Sequence, residues 1–441
     1  MTEFAKLGLN SEIVKSLRAL GLETPTDIQK KAIPLALAGR DIIGGSATGS
    51  GKTLAFSMPI LQNLKHKDYV QALILTPTRE LAEQVSSAIK KYSHNSLKVL
   101  PVYGGVDIDN QIRQLFNTDV VVGTPGRIID HIKRRTLSLD KIKILVLDEC
   151  DRMFDMGFFQ DVEFIIEQCP KKRQTMLFSA TVSSDIDHFA KKHTQDAAIV
   201  SVESNVDPTK LTQKYYDIPD YLKFSLLVHL LKKERSKLVM IFCNTRRNAD
   251  FVVKNLEKQG IDAKAIHGGL EQKKRSRIID NFHRNQINVL VCTDVAARGL
   301  DIKGVTHVYN YDIPKDPKEY IHRIGRTARA GKEGEAINIL ASRDYDNFRK
   351  LTQSFPAKIT LEKTPFLEQV DLDYSTQNRR PNFRGDARNN GPRGGRFSGS
   401  GRTPRSQGNQ DSRPRSRSHT GNTSNRSFGR SSQGRRPSRR R

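Results

Sequence analysis

The chain lacks any run of about 18 apolar residues, the length a helix needs to cross a bilayer. Its opening residues, Met1-Thr2-Glu3-Phe4, lack the basic stretch and apolar core of an export signal. Both absences predict a soluble, cytoplasmic chain. Cysteine is scarce: Cys150, Cys169, Cys243 and Cys292 are widely scattered and form no CxxC pair, which argues against a disulfide framework or a zinc site. They read as small, semi-buried residues in a reducing compartment. Hydrophobic residues make up only 36% of the chain, too few for all of it to lie in a core. Acidic residues number 48 against 74 basic ones, and the resulting net charge of +26 points to a polyanionic partner. Nucleic acid is the commonest such partner. An anionic membrane competes with it, and the missing apolar run weighs against that reading.

At 441 residues the chain is too long for one ordinary domain, so two domains and a tail are expected. The charge is concentrated at one end. Arg379 to Arg441 holds 18 arginines, no lysine and only Asp386 and Asp411 as acids, a net +16. The segment is otherwise mostly Gly, Ser, Asn, Gln and Pro, cannot bury enough surface to offset chain entropy, and should be disordered. Before it, the residues at 72–75, 120–122, 144–147, 175–178, 238–242, 289–292 and 336–340 read as buried strands. Almost wholly apolar and separated by helical stretches, they predict parallel α/β sheets covered on both faces. The polar stretch from Val202 to Pro208 has no periodicity and predicts a linker between two α/β domains.

Two segments carry chemistry. Ser46-Ala47-Thr48-Gly49-Ser50-Gly51-Lys52-Thr53 follows the apolar Ile42-Ile43 and precedes a helix from Thr53. Such a strand–loop–helix cradles phosphates: small residues let backbone N–H groups approach, and the helix N-terminus adds favourable partial charge. Lys52 would reach the β- and γ-phosphates and the Thr53 hydroxyl would ligate Mg²⁺. Ser46 stands where the general pattern has its first glycine. The second segment is Asp148-Glu149, fed directly by the apolar Ile144-Leu145-Val146-Leu147. Asp148 would hold Mg²⁺ through its water shell, and Glu149 would orient and deprotonate the attacking water.

With these in place the sequence, over residues 4 to 365, resembles the DEAD-box RNA helicases of superfamily 2. The name-giving tetrapeptide reads Asp148-Glu149-Cys150-Asp151, a DECD variant. Pro77-Thr78-Arg79-Glu80-Leu81-Ala82, Gly104-Gly105, Thr124-Pro125-Gly126-Arg127 and Ser179-Ala180-Thr181 follow in the family's order, then the block from Thr293 to Asp301 and the block from His322 to Arg329. The resemblance implies an α/β fold of two tandem RecA-like domains, parallel sheets flanked by helices, plus the disordered tail. It divides the chain into an adenine-reading segment (1–30), a first domain (31–202), a linker (203–212), a second domain (213–365) and a basic tail (366–441).

Site roles follow from the same resemblance. Gln29 would pair with the adenine edge, Phe4 is the upstream aromatic of that motif, and Leu22 stands where the family usually has an aromatic. The loop from Ser46 through Ala47, Thr48, Gly49, Ser50 and Gly51 to Lys52 and Thr53 would hold the nucleotide, with Asp301 on the ribose. Arg326 and Arg329 match arginine fingers that neutralise charge on the transferred phosphoryl group. Ser179 and Thr181 would link the nucleotide site to domain closure. Pro77, Thr78, Arg79, Gly105, Thr124, Gly126 and Arg127 in the first domain, with Gly268, Gln272, Arg275 and Thr293 in the second, look like sequence-independent RNA-backbone contacts. His267-Gly268-Gly269 departs from the family's His-Gly-Asp.

The resemblance therefore implies an RNA-dependent ATPase that uses ATP and Mg²⁺ and locally unwinds or remodels short RNA duplexes. It would act as a monomeric core, with ribonucleoprotein or ribosomal partners open. An RNA-binding clamp or annealing chaperone is the alternative, and DNA is the alternative substrate. The arginine tail suits sequence-tolerant binding of nucleic acid and would reach about 45 Å as a coil.

Overall fold

The computed structural model describes residues 2–46, 49–93, 96–179, 184–202, 211–233, 238–297, 302, 304–328, 333–354 and 358–375. The Arg-rich segment 379–441 and most of the expected linker lie outside them.

Fourteen strands among the described residues form two seven-stranded, all-parallel sheets. The first contains β1 (Ile42–Gly45), β2 (Ala72–Leu75), β3 (Val99–Val102), β4 (Val120–Gly123), β5 (Ile144–Leu147), β6 (Gln174–Ser179) and β7 (Ala198–Ser201). The second contains β8 (Leu211–Asp217), β9 (Val239–Phe242), β10 (Ala263–Ile266), β11 (Val289–Cys292), β12 (His307–Asn310), β13 (Gly334–Leu340) and β14 (Thr360–Leu361). Their orders are β3-β4-β2-β5-β6-β1-β7 and β10-β11-β9-β12-β13-β8-β14. Shifted by seven, these are one and the same order, so the chain builds one topology twice.

Sequence dictates this layering. In β2 and β5 every side chain is apolar and at most 3% exposed. Alternate residues feed opposite faces: Ile74 and Val146 join one apolar layer, Leu73, Leu75, Leu145 and Leu147 the other. Helices cover both layers, as a parallel sheet with right-handed crossovers requires. The second sheet repeats the arrangement, with Ile241 and Val291 in one layer and Met240 and Leu290 in the other. All four cysteines are free and buried inside these layers. No described helix is long and apolar enough to cross a membrane.

Three expected boundaries shift. The first thirty residues are no separate segment: Phe4, Leu9, Ile13 and Leu17 are buried in the first half's core, and helix Asp27–Leu37 runs across residue 30. β8 begins at Leu211, inside the expected linker, because its pairing with β13 starts there. The tail does not begin at 366. Leu367, Val370 and Leu372 pack on the second core, Val370 N donates to Ser225 Oγ at 3.0 Å, and Tyr374 stacks on Phe251. Asp373 closes this strap with Lys254 at 2.8 Å and Lys258 at 2.7 Å, and the two lysines hold its carboxyl well below the usual range. Leu367, Val370, Leu372 and Tyr374 make the strap, and all four precede the arginine-rich stretch whose composition defines the tail.

Candidate functional site

β1 delivers the chain to the small-residue loop, and helix Lys52–Asn63 leaves it. Ser46 N donates to Ser179 O at 3.0 Å, tying the loop's start to the end of β6. Lys52, only 6% exposed, donates from Nζ to Ser46 O at 2.7 Å, which arches its side chain back over the loop. The Ser46 and Ser50 hydroxyls meet at 2.7 Å. Gly51 has φ +97°, and a Cβ there would come within 2.2 Å of Gln29 Nε2, so only glycine fits. Gly49 also adopts positive φ, and half-buried Thr53 follows Lys52 in the helix's first turn.

Gln29 is built into this cradle. Its Oε1 accepts from Thr26 N at 3.0 Å, its Nε2 donates to Gly51 O at 3.1 Å, and Thr26 Oγ1 donates to Ser50 O at 2.7 Å. Each end of the amide keeps one further hydrogen-bonding position, the pair an adenine edge requires. Phe4 contradicts its expected place: its ring is 2% exposed in the core, because it is the apolar face of the short helix Glu3–Lys6. It supports the segment carrying Gln29 and presents no ring to a base.

β5 ends at Leu147, and Asp148 and Glu149 follow, 3% and 5% exposed. Asp148 Oδ1 and Glu149 Oε2 are buried with no protein partner. Burial pushes the Asp148 carboxyl up to about 7, with Lys52 opposing and Glu149 adding to the rise. Glu149 has φ +52°, a strained value for a residue with a side chain. Two buried, unsatisfied carboxylate oxygens beside a lysine and a helix N-terminus make a site that fits a hydrated divalent cation with polyphosphate. Cys150 behind them is inert: burial pushes its thiol far up, and it shares a hydrogen bond with the Ser179 side chain.

From the second half, Arg326 is 3% exposed, its Nε bonded to His322 O at 3.2 Å. It lines a small cleft with Asp294, Glu319, Arg323 and, from the helix that opens with Cys150, Arg152. Behind it Arg323 is a keystone that the sequence reading missed. It holds Asp294 through Nε and Nη2, Asn244 Oδ1 at 2.9 Å, Asn310 Oδ1 at 3.1 Å and Asp312 O at 2.6 Å. Ala47, Thr48, Thr181, Asp301 and Arg329 lie outside the described residues.

The first half's backbone-contact candidates gather at three strand ends. Pro77 and Thr78 are buried after β2, where Thr78 Oγ1 accepts from Leu81 N at 3.3 Å. Arg79 lays its guanidinium over Gly105, where an added Cβ would come within 2.1 Å of Nη1. Half-buried Thr124 follows β4, Gly126 is exposed, and Arg127 donates to Val106 O at 3.3 and 3.2 Å beside the same loop. In the second half Gly268 is exposed against Arg246, and Thr293 directly follows β11. Gln272 and Arg275 depart from expectation. Both are buried, and both meet one oxygen of Glu80, Gln272 Nε2 at 3.1 Å and Arg275 Nη2 at 2.8 Å. A buried guanidinium needs an anion, and this carboxylate from the other half supplies it, so the two side chains join the halves.

Fold and site together define a nucleotide-hydrolase core of two tandem RecA-like domains. The sequence family described as DEAD/DEAH box helicase matches residues 26–189, and the helicase conserved C-terminal domain matches residues 222–331. The ATP-dependent RNA helicase CshA of Listeria monocytogenes is 47% identical over 374 residues, 84% of this chain and 72% of its own. The chain belongs to the DEAD-box family of ATP-dependent RNA helicases. S. cerevisiae Dbp5 bound to RNA and ADP–BeF₃ superposes with a TM-score of 0.75 at 34% identity, covering 82% of this chain and 96% of that one. A DEAD box protein from Methanococcus jannaschii reaches only 0.51 at 40% identity, covering 82% and 99%.

Proposed function

We propose that this chain is an RNA-dependent ATPase that locally unwinds or remodels short RNA duplexes without reading their sequence. The observation that carries this is Arg326: a second-half arginine buried in one cleft with Arg152, which follows the acidic tetrapeptide of the first half. Gln29 would read adenine, and the Lys52 ammonium and the loop's N–H groups would hold the phosphates. Mg²⁺, held by Thr53 and Asp148 largely through water, would draw charge from the phosphoryl oxygens. Glu149 would take a proton from the attacking water, while Arg326, with Arg329, would neutralise the transition state.

RNA would lie along the groove of Arg79, Gly105, Gly126 and Arg127. Gly126 supports this reading, because its φ is ordinary and a Cβ would meet nothing in the chain. Ligands that touch both halves favour the closed arrangement, where both sets of contacts exist together. A closed groove that accepts only one strand would disfavour a short duplex. Arg326→Ala is expected to lower RNA-stimulated ATP turnover by roughly 10³-fold while nucleotide binding persists. Titration of turnover with matched RNA and DNA oligonucleotides tests the substrate, and equal stimulation by both would refute RNA.

A further inference from the structure

We propose that Gln111 and His131 are positioning residues of the RNA groove, which fix the Arg127 guanidinium beside the Gly104-Gly105 loop through one shared amide oxygen. This rests on reading Arg127 as a contact to the RNA sugar–phosphate backbone. Gln111 lies on helix Ile108–Leu115, while Arg127 and His131 lie one turn apart on helix Pro125–Lys133. Gln111 Oε1 accepts from Arg127 Nη1 at 3.0 Å and meets His131 Nε2 at 3.1 Å. Gln111 Nε2 donates to Tyr103 O at 3.1 Å, just before the glycine loop, and His131 Nδ1 meets Thr136 Oγ1 at 2.8 Å.

The chemistry orders this chain of bonds. An amide oxygen has two acceptor positions, and Arg127 and His131 fill both. His131 Nε2 must therefore carry the proton, and Nδ1 accepts from the Thr136 hydroxyl. Burial, then the neighbouring Arg127, hold the imidazole below its ordinary range, which keeps it neutral. Gln111 is 5% exposed and His131 is 0% exposed, whereas the Arg127 side chain keeps 13% exposure. The buried amide and imidazole thus lie at the middle of the polar chain, with Arg127 at the end beside the glycine loop and partly buried Thr136 at the other. A surface arginine that served only solubility would gain nothing from a buried amide and imidazole behind it. An arginine that must meet a phosphate gains pre-organisation, because its rotamers are restricted before RNA arrives.

The test uses the full chain and a single-stranded RNA oligonucleotide, reading the RNA concentration for half-maximal ATP turnover, kcat and KM for ATP. Arg127→Ala is expected to raise the RNA requirement about tenfold, the worth of one charge-assisted hydrogen bond. Gln111→Met should raise it about threefold, with kcat and KM for ATP unchanged. The double variant should be no worse than Arg127→Ala alone, since Gln111 acts only through that arginine. Thr136→Val, which disturbs only the outer end of the chain, should shift the RNA requirement in the same direction and covers the case of a poorly folded Gln111→Met. Additive losses in the double variant would overturn the inference, as would unchanged RNA requirements in Gln111→Met and Thr136→Val beside a weakened Arg127→Ala. An unchanged Arg127→Ala would overturn the backbone-contact reading and this inference with it.

Discussion

At Asp148 burial works against charge. The free carboxyl titrates at 3.8, the folded one at about 7, so the ligand-free native state binds this proton more tightly than the unfolded chain does. Its stabilising effect is complete below about 4 and is lost as pH rises through 7. Asp148→Asn should therefore melt close to the parent at pH 4 and several degrees higher at pH 8, while turnover is lost at both. Parallel melting curves at the two pH values would show that Lys52 already compensates the buried charge. The lysine loop and carboxylate pair were legible in the sequence because their residues are consecutive and flanked by apolar strands. Phe4 was not, since a ring that stacks and a ring that packs are the same letter. The pairing of Gln272 and Arg275 with Glu80 was hidden for a related reason: Glu80 lies 192 residues from Gln272, and no local pattern reveals such a partner.

Among the elements, the strap of residues 366–375 makes the sharpest claim. Ending the chain after Ser375 should leave melting unchanged. Ending it after Pro365 removes Leu367, Val370, Leu372 and the Tyr374–Phe251 stack, and should cost roughly 2–4 kcal/mol of second-half stability. Equal melting of the two truncations would mean that the strap rests on the surface without holding it. The strands divide along similar lines. Those read from sequence are short runs flush with apolar residues and lie mostly inside the sheets. β3, β7, β10 and β14 escaped notice because they are edges, where one side is open and composition is mixed; β3 even carries Pro101, which an edge tolerates. β8 and β12 are interior and still escaped: β8 reads as the largely polar Leu-Thr-Gln-Lys-Tyr-Tyr-Asp, and His307 and Asn310 interrupt β12. Asn310 is fully buried but satisfied by Asn338 at 2.9 Å and by Arg323, a compensation visible only in three dimensions.

For the whole molecule, the Glu80 carboxylate is one joint between the halves, held by Gln272 and Arg275. Glu80→Ala leaves Arg275 a buried cation without its anion, a change that costs about 3–5 kcal/mol in the closed arrangement. Dyes placed on the two halves should report that closure with a non-hydrolysable ATP analogue needs at least about tenfold more RNA, while analogue binding without RNA is unchanged. Closure at the parental RNA concentration would assign the joint elsewhere. Glu80 is also the immediate neighbour of Arg79, on the first turn of one helix, so the residue offered to RNA and the residue that docks the other half move as one rigid piece. Thermodynamic reciprocity follows from that adjacency. Whatever factor RNA contributes to nucleotide affinity by settling this turn, nucleotide must return to RNA affinity in equal measure, and a variant that uncouples one direction has to uncouple the other.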